Sequence, residues 1–133
     1  MEVANENLTS GSSKFTWGDN GEVSTGTAVG TGKDNTKAMH DTLTNTVAKQ
    51  VWGVTFGEYS DWFIPSKDEL QLLRHAKGSV TTIGGNWPNS SFWSSSANGT
   101  DRAYALWTQG DIGSAWSNPV RTDDYYVRLI RYI

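Results

Sequence analysis

The sequence predicts an α+β domain with much of its length in loops, and three observations carry that expectation. A fifteen-residue stretch from Tyr59 to Leu73 joins a bulky apolar segment to a helix start, and an apolar recurrence of helical period lies upstream of it. The second half holds strand-like segments separated by turn formers. The 14 Gly, with many Ser, Thr and Asn, account for the loops. At 133 residues the chain is one domain, long enough for a single real core.

In chain order, residues 1 to 13 end in Leu8-Thr9-Ser10-Gly11-Ser12-Ser13 and read as a linker or disordered terminus, so the folded domain is expected over 14–133. Lys14-Phe15-Thr16-Trp17 is the first strand candidate, closed by Gly18-Asp19-Asn20-Gly21. A Gly- and Thr-rich segment follows through Gly32 without convincing alternation and reads as an ordered irregular loop. From Asp34 onward, Met39, Leu43, Val47 and Val51 recur every four residues, joined by Ala38, Ala48 and Trp52. Thr42, Thr44, Asn45 and Thr46 are weak helix formers, so two short helices meeting near Thr44 are expected rather than one long one, with Gly53 ending the second.

Trp62-Phe63-Ile64 suits a buried strand, and Pro65, with no amide hydrogen to give a sheet, ends it. Ser66 and Glu69 then form a capping box: the hydroxyl accepts from the Glu69 amide while the carboxylate reaches back to the Ser66 amide. Asp68 and Glu69 place negative charge at the positive end of the helix dipole. Leu70 and Leu73 give the helix its inward face, widened by Leu72 or Ala76, and Lys77-Gly78 stops it. Residues 78 to 91 are a polar loop. Three strand candidates complete the chain: Phe92 to Ser96, Ala103 to Trp107 with a hairpin into Ile112 to Trp116, and Tyr125 to Tyr132. The Asp123-Asp124 pair precedes the last of these, after a polar loop from Ser117.

Composition narrows the function classes. A net charge of -3 argues against a broad electrostatic grip on nucleic acid or anionic membrane. The absence of cysteine removes disulfides, thiolate chemistry and cysteine-ligated metals. No run approaches the roughly eighteen apolar residues of a membrane span, and the acidic start Met1-Glu2-Val3-Ala4 does not read as a signal peptide. A domain of this kind acting outside a cell would be a fragment or part of a particle not secreted alone.

Asp61-Trp62-Phe63-Ile64-Pro65-Ser66-Lys67-Asp68-Glu69-Leu70 resembles the strand-to-helix signature of the collagen-like-adhesin C-terminal (Lcl-type) domain family. Phe92-Trp93-Ser94-Ser95-Ser96, the following Ala103 strand, the closing Val127-Arg128-Leu129-Ile130-Arg131 and the upstream Gly30 to Thr36 are similar to it too, so the resemblance covers roughly residues 16 to 133. It implies a C-type-lectin-like fold, related to that of the formylglycine-generating enzyme: a small, twisted, mainly antiparallel sheet with two or three short helices and long ordered loops. It also implies an extracellular place, at the end of a bacterial surface adhesin or phage tail fibre, often as a homotrimer binding glycans or host receptors. The enzymes of that fold use reactive cysteines, and this chain has none, so the resemblance carries fold and not activity.

The residues themselves favour recognition over catalysis. His40 and His75 are the only histidines and have no serine or carboxylate partner at a telling spacing. Asp111, Asp123 and Asp124 lack the spacing of a calcium loop and read as solvated carboxylates, so no metal and no cofactor is expected. Of the seven Trp, Trp62 and Trp93 are assigned to the core, with Trp17 and Trp52. Trp87, Trp107 and Trp116 lie in or beside the C-terminal polar loops, where an indole can stack on the C–H face of a sugar. Planar polar partners stand nearby: Arg102, Asp111, Asn118, Arg121 and Asp123, with Asn86, Asn89, Asn98, Asp101, Gln109 and Thr122. Each residue alone reads equally as packing or turn; the cluster points to a ligand. Arg128, in a buried strand, is expected in an internal hydrogen-bonded pair.

The expected function is therefore a non-enzymatic glycan- or receptor-binding domain that mediates attachment. The alternative is a protein-interaction or fibre-capping module whose aromatics form a subunit interface; an enzyme is a weaker third reading. On the first reading Trp116→Ala weakens target binding and leaves the melting temperature nearly unchanged.

Overall fold

The structure of the chain is a computed structural model and describes residues 2–3, 14–55, 58–77, 91–109 and 113–132. It is α+β. Two-residue strands β1 (Glu2–Val3) and β2 (Phe15–Thr16) precede helix α1 (Gly32–Thr42), a 3-10 turn (Val47–Gln50) and helix α2 (Lys67–Lys77). Five strands follow: β3 (Ser91–Asn98), β4 (Arg102–Gln109), β5 (Gly113–Ser117), β6 (Asp124–Tyr125) and β7 (Ile130–Arg131).

The main sheet is antiparallel in the order β3-β4-β5, with Phe92 opposite Leu106 and Leu106 opposite Trp116. β2 pairs with β6 and β1 with β7, both antiparallel. The C-terminal segment lies along the free edge of β3: the Trp93 amide donates to Tyr126 O at 2.9 Å, and the Tyr126 amide to Ser91 O at 3.1 Å. Phe63 and Ile130 exchange both backbone bonds, at 2.9 and 3.0 Å.

Side-chain alternation along these extended segments sorts the buried residues into two groups. Trp62, Ile64, Trp93, Ala103, Ala105, Val127 and Leu129 join Met39, Leu43, Val47, Ala48 and Val51 from α1 and the 3-10 turn. Phe63, Phe92, Leu106 and Ile130 join Leu70 and Leu73 of α2. The sheet thus lies between α1 on one face and α2 on the other, and the described buried residues form two clusters where a single core is expected. Burial on both faces is why Trp62-Phe63-Ile64 and Val127 to Ile130 are continuously apolar or buried rather than alternating.

Several expectations need correction. Trp62-Phe63-Ile64 is buried but is extended chain with one bridge, Phe63 to Ile130, not a strand. Tyr125 to Tyr132 holds parts of two short strands, because successive residues reach both cores and four different partners: β2, β3, Phe63 and β1. Leu72 faces solvent at 47% exposure and does not widen the inner face of α2. Within the expected N-terminal linker, Glu2–Val3 is a strand against Ile130–Arg131; residues 4–13 lie outside the described residues, as does the polar loop over 78–90. Trp52 is half-buried, whereas Trp17, Trp62 and Trp93 are core. The two-helix expectation matches: α1 ends at Thr42, Leu43 is extended, and the Thr46 hydroxyl caps the 3-10 turn by accepting from the Ala48 amide.

The capping box forms as the sequence predicts. The Glu69 amide donates to Ser66 Oγ at 3.3 Å, and the Ser66 amide to Glu69 Oε1 at 2.9 Å. The same buried carboxylate accepts from the Gly32 amide at 3.0 Å and the Gly30 amide at 3.2 Å. Thr31 makes no side-chain cap of α1, so one carboxylate serves the positive ends of two helices. Gly32 is required for this approach, since a Cβ there would meet Ile64 O and Ser66 N, both at 2.9 Å.

Candidate functional site

Among the described residues, those singled out for binding do not assemble into one site. Trp87 and Asp111 lie outside the described residues. Trp107 and Trp116 fall on opposite faces of the sheet, because Leu106 pairs directly with Trp116 and Trp107 is its chain neighbour. Trp107 is 40% exposed on the α1 side. Arg102, Asn118, Arg121 and Asp123 gather at the start of β4, five residues and roughly 17 Å from Trp107. There Arg102 Nη1 donates to Asn118 O at 3.0 Å and the Tyr125 hydroxyl donates to Asp123 Oδ2 at 3.3 Å. Burial raises the Tyr125 phenol above its ordinary value, with Asp123 adding to the shift.

Arg121 requires the firmest correction. It is fully buried, and its guanidinium donates to four backbone carbonyls: Arg102 O at 3.2 Å, Asp19 O at 2.9 Å, Gly21 O at 2.8 Å and Gly99 O at 3.1 Å. Its Cζ stands 4.4 Å from the centre of the Trp17 ring. Desolvation lowers its pKa, with Asp101 acting in the opposite sense. Arg121 ties the Asp19–Gly21 turn and the turn between β3 and β4 to its own segment, and is withdrawn from the ligand set. Arg128 is likewise buried, at 1% exposure.

A different group forms around Trp116. Alternation along β4 puts Tyr104 on the same face as Leu106, and so beside Trp116 and under α2. Capping by Ser66 starts α2 at Lys67, which projects over this face: its Nζ lies 4.6 Å from the Tyr104 ring centre and 5.3 Å from that of Trp116. One turn on, Gln71 Oε1 accepts from Trp116 Nε1 at 2.8 Å. All four side chains are partly exposed. The result is a ledge of two aromatic rings with an ammonium above them and an amide fixing the indole, an arrangement able to stack on an apolar face and bond polar groups around it. Sequence reasoning found Trp116 but missed Tyr104, Lys67 and Gln71. The alternation of Ala103 to Leu106 could have found Tyr104.

His40 does meet a carboxylate, with Nδ1 2.9 Å from Asp41 Oδ1, but on the solvent side of α1, where Lys37 Nζ shares Asp41 at 2.7 Å. The Lys37 hydrogen bond, then that of His40, holds the Asp41 carboxyl below its ordinary value. The His75 side chain lies outside the described residues. Among the described residues no group of three or more His, Cys, Asp or Glu could hold a metal ion, and no helix is long and apolar enough to cross a membrane.

No protein-family model, curated protein or solved structure matches the chain.

Proposed function

We propose that this chain is a non-enzymatic recognition domain with a C-type-lectin-like fold, attaching a bacterial surface adhesin or phage tail fibre to a glycan or protein receptor on a target surface. The observation that carries the reading is the ledge of Trp116 and Tyr104 under Lys67, with Gln71 orienting the indole. A sugar's C–H face stacks on the rings while its hydroxyls bond the flanking amide and ammonium. The Lcl-type signatures around Asp61 to Leu70 and Phe92 to Ser96 support the same reading. Single contacts of this kind are weak, and a homotrimer would multiply them by presenting three ledges at once.

The test is a glycan array probed with the chain alone and fused to a trimerising stalk, in parental form and as the Lys67→Gln/Trp116→Phe pair. Binding by the trimeric parent, reduced about tenfold or more in the variant, supports the ledge. A target bound equally by both forms removes it. A second reading, in which the aromatics form a subunit interface, rests on Trp107, a large ring exposed on the opposite face of the sheet. Self-association abolished by Trp107→Ser, with no glycan bound, would favour that reading.

A further inference from the structure

Asn-Gly pairs carry a chemistry of their own, and the chain holds two of them: Asn20-Gly21, in the turn after Trp17, and Asn98-Gly99, at the tip of the β3–β4 hairpin. The main-chain nitrogen that follows an asparagine can attack the carbon of its side-chain amide. A glycine in that place leaves the approach open, since no Cβ stands in the way. The sequence makes the two pairs equivalent, so any difference between them comes from the fold.

The attack needs a nitrogen free to lose its proton and a turn able to swing that nitrogen toward the side chain. At the first pair neither condition holds. The Gly21 amide donates to Thr100 O at 2.7 Å. The carbonyls on either side of Asn20, Asp19 O and Gly21 O, both accept from Nη1 of buried Arg121, at 2.9 and 2.8 Å. The Asp19 amide also donates to Asn45 O at 2.9 Å, and the Asn45 amide to Asp19 Oδ2 at 2.8 Å. At the second pair no described residue accepts from the Gly99 amide, and Gly99 and Thr100 are exposed. Only the far side of Gly99 is held, its carbonyl accepting from Arg121 Nη2 at 3.1 Å. Space does not separate the pairs: a Cβ on Gly21 would first meet Leu43 at 3.9 Å, and one on Gly99 would first meet Asp101 at 4.0 Å. Exposure alone would rank them the other way, because Asn20 is exposed and Asn98 half-buried.

We propose that Asn98 is a site of spontaneous deamidation in the folded chain, whereas Asn20 is held inert by the bonds of its turn. The Gly99 nitrogen gives its proton to solvent and bonds to Asn98 Cγ, and the side-chain nitrogen leaves as ammonia. The cyclic imide that results takes up one water. Cleaving the ring nitrogen from Cγ leaves an aspartate. Cleaving it from the main-chain carbonyl leaves an isoaspartate, whose backbone runs through Cγ and is one carbon longer. Either product adds a negative charge opposite Arg102 in the β3–β4 register, where it competes with Asn118 O for Arg102 Nη1. The isoaspartate also draws Gly99 O away from Arg121. The hairpin tip is thereby a one-way charge switch set by the age of the protein. It uses none of the ledge residues, so either assignment can fail without the other.

The experiment ages the full chain in mildly alkaline buffer, folded and in concentrated urea, and follows each asparagine by peptide mapping with mass spectrometry. In the folded chain Asn98 is expected to convert about tenfold or more faster than Asn20, which must first break the bonds of its turn. In urea the two rates are expected to converge. The isoaspartyl form, isolated by chromatography, is expected to melt below the parent, and Asn98→Asp, whose backbone is unaltered, to melt close to it. The proposal is overturned if Asn20 converts as fast as Asn98 in the folded chain, if Asn98 reacts only in urea, or if the folded-state ratio persists in urea. An isoaspartyl form that melts with the parent removes the link to Arg121.

Discussion

Arg121 and Arg102 stand nineteen residues apart in sequence and touch through one hydrogen bond, yet their energetic roles are opposite. Arg121 is sealed from water with four carbonyls as its acceptors, so its removal strands those carbonyls in the interior. Arg121→Met is expected to lose about 3–5 kcal/mol in urea unfolding, whereas exposed Arg102→Met stays within about 1 kcal/mol of the parent. Equal losses would remove the clamp role. Asp61 offers a pH test at the same scale. Hydrogen bonding by Arg131, above all, holds its carboxyl below the ordinary aspartate value. A depressed folded pKa contributes stability that is present above the unfolded value of about 4 and is lost as pH falls through the folded one. The melting temperature of Asp61→Asn is therefore expected to lie slightly below the parent at pH 7, with the gap closing under more acid conditions. The gap is small because the pair is solvent-screened.

Among elements, α2 does the most positioning. Its first turn carries Ser66 as cap, Lys67 over the ledge and Glu69 as the shared acceptor for both helix starts. Ser66→Ala removes the cap and also the bond from Ser66 Oγ to Ala28 O, and is expected to cost about 1–2 kcal/mol in chemical denaturation. Gly32→Ala should cost more than about 2 kcal/mol, because the new methyl meets backbone atoms that cannot swing aside. A neutral Gly32→Ala would show that the α1–α2 approach is looser than described. The ledge also revises the expectation for Trp116. The indole packs against the core on the α2 side, opposite Leu106, and donates to Gln71, so Trp116→Ala lowers the melting temperature as well as binding, by about 2 kcal/mol or more. Trp116→Phe keeps the packing and is the cleaner probe.

For the molecule as a whole, the consequence of a sheet shared by two cores is cooperativity. Trp93 reaches one core and Phe92 the other from adjacent positions, and Leu129 and Ile130 do the same. Neither core can dissolve without removing the sheet that walls the other. Met39→Ala on the α1 side and Leu73→Ala on the α2 side are each expected to cost about 2–5 kcal/mol and to shift one common transition, with tryptophan emission and far-ultraviolet dichroism lost together. A transition that splits in either variant would show the two faces unfolding separately. The polar residues on the sheet serve the same end. Ser95 accepts from Asn35 of α1, and Ser96 donates to Gly26 O of the Gly- and Thr-rich segment, which ties that irregular loop to the main sheet.

What was legible in the sequence was whatever depends on neighbours within a turn or two. The capping box, the break near Thr44 and the hairpin of β4 and β5 all follow from cap chemistry, propensity and alternation, which act over a few residues. The candidate site was legible only in part, through Trp116. Whether a tryptophan is ledge or core depends on what crosses it from elsewhere: Trp107 and Trp116 part company through strand register, and Arg121 becomes a clamp through carbonyls about a hundred residues away. Asp61 and Arg131 become neighbours by the same long-range route, since they are seventy positions apart. Local pattern sets which segments form elements; only tertiary packing decides which side chains share a face, because desolvation and pairing act on residues brought together by the fold and not by their order in the chain.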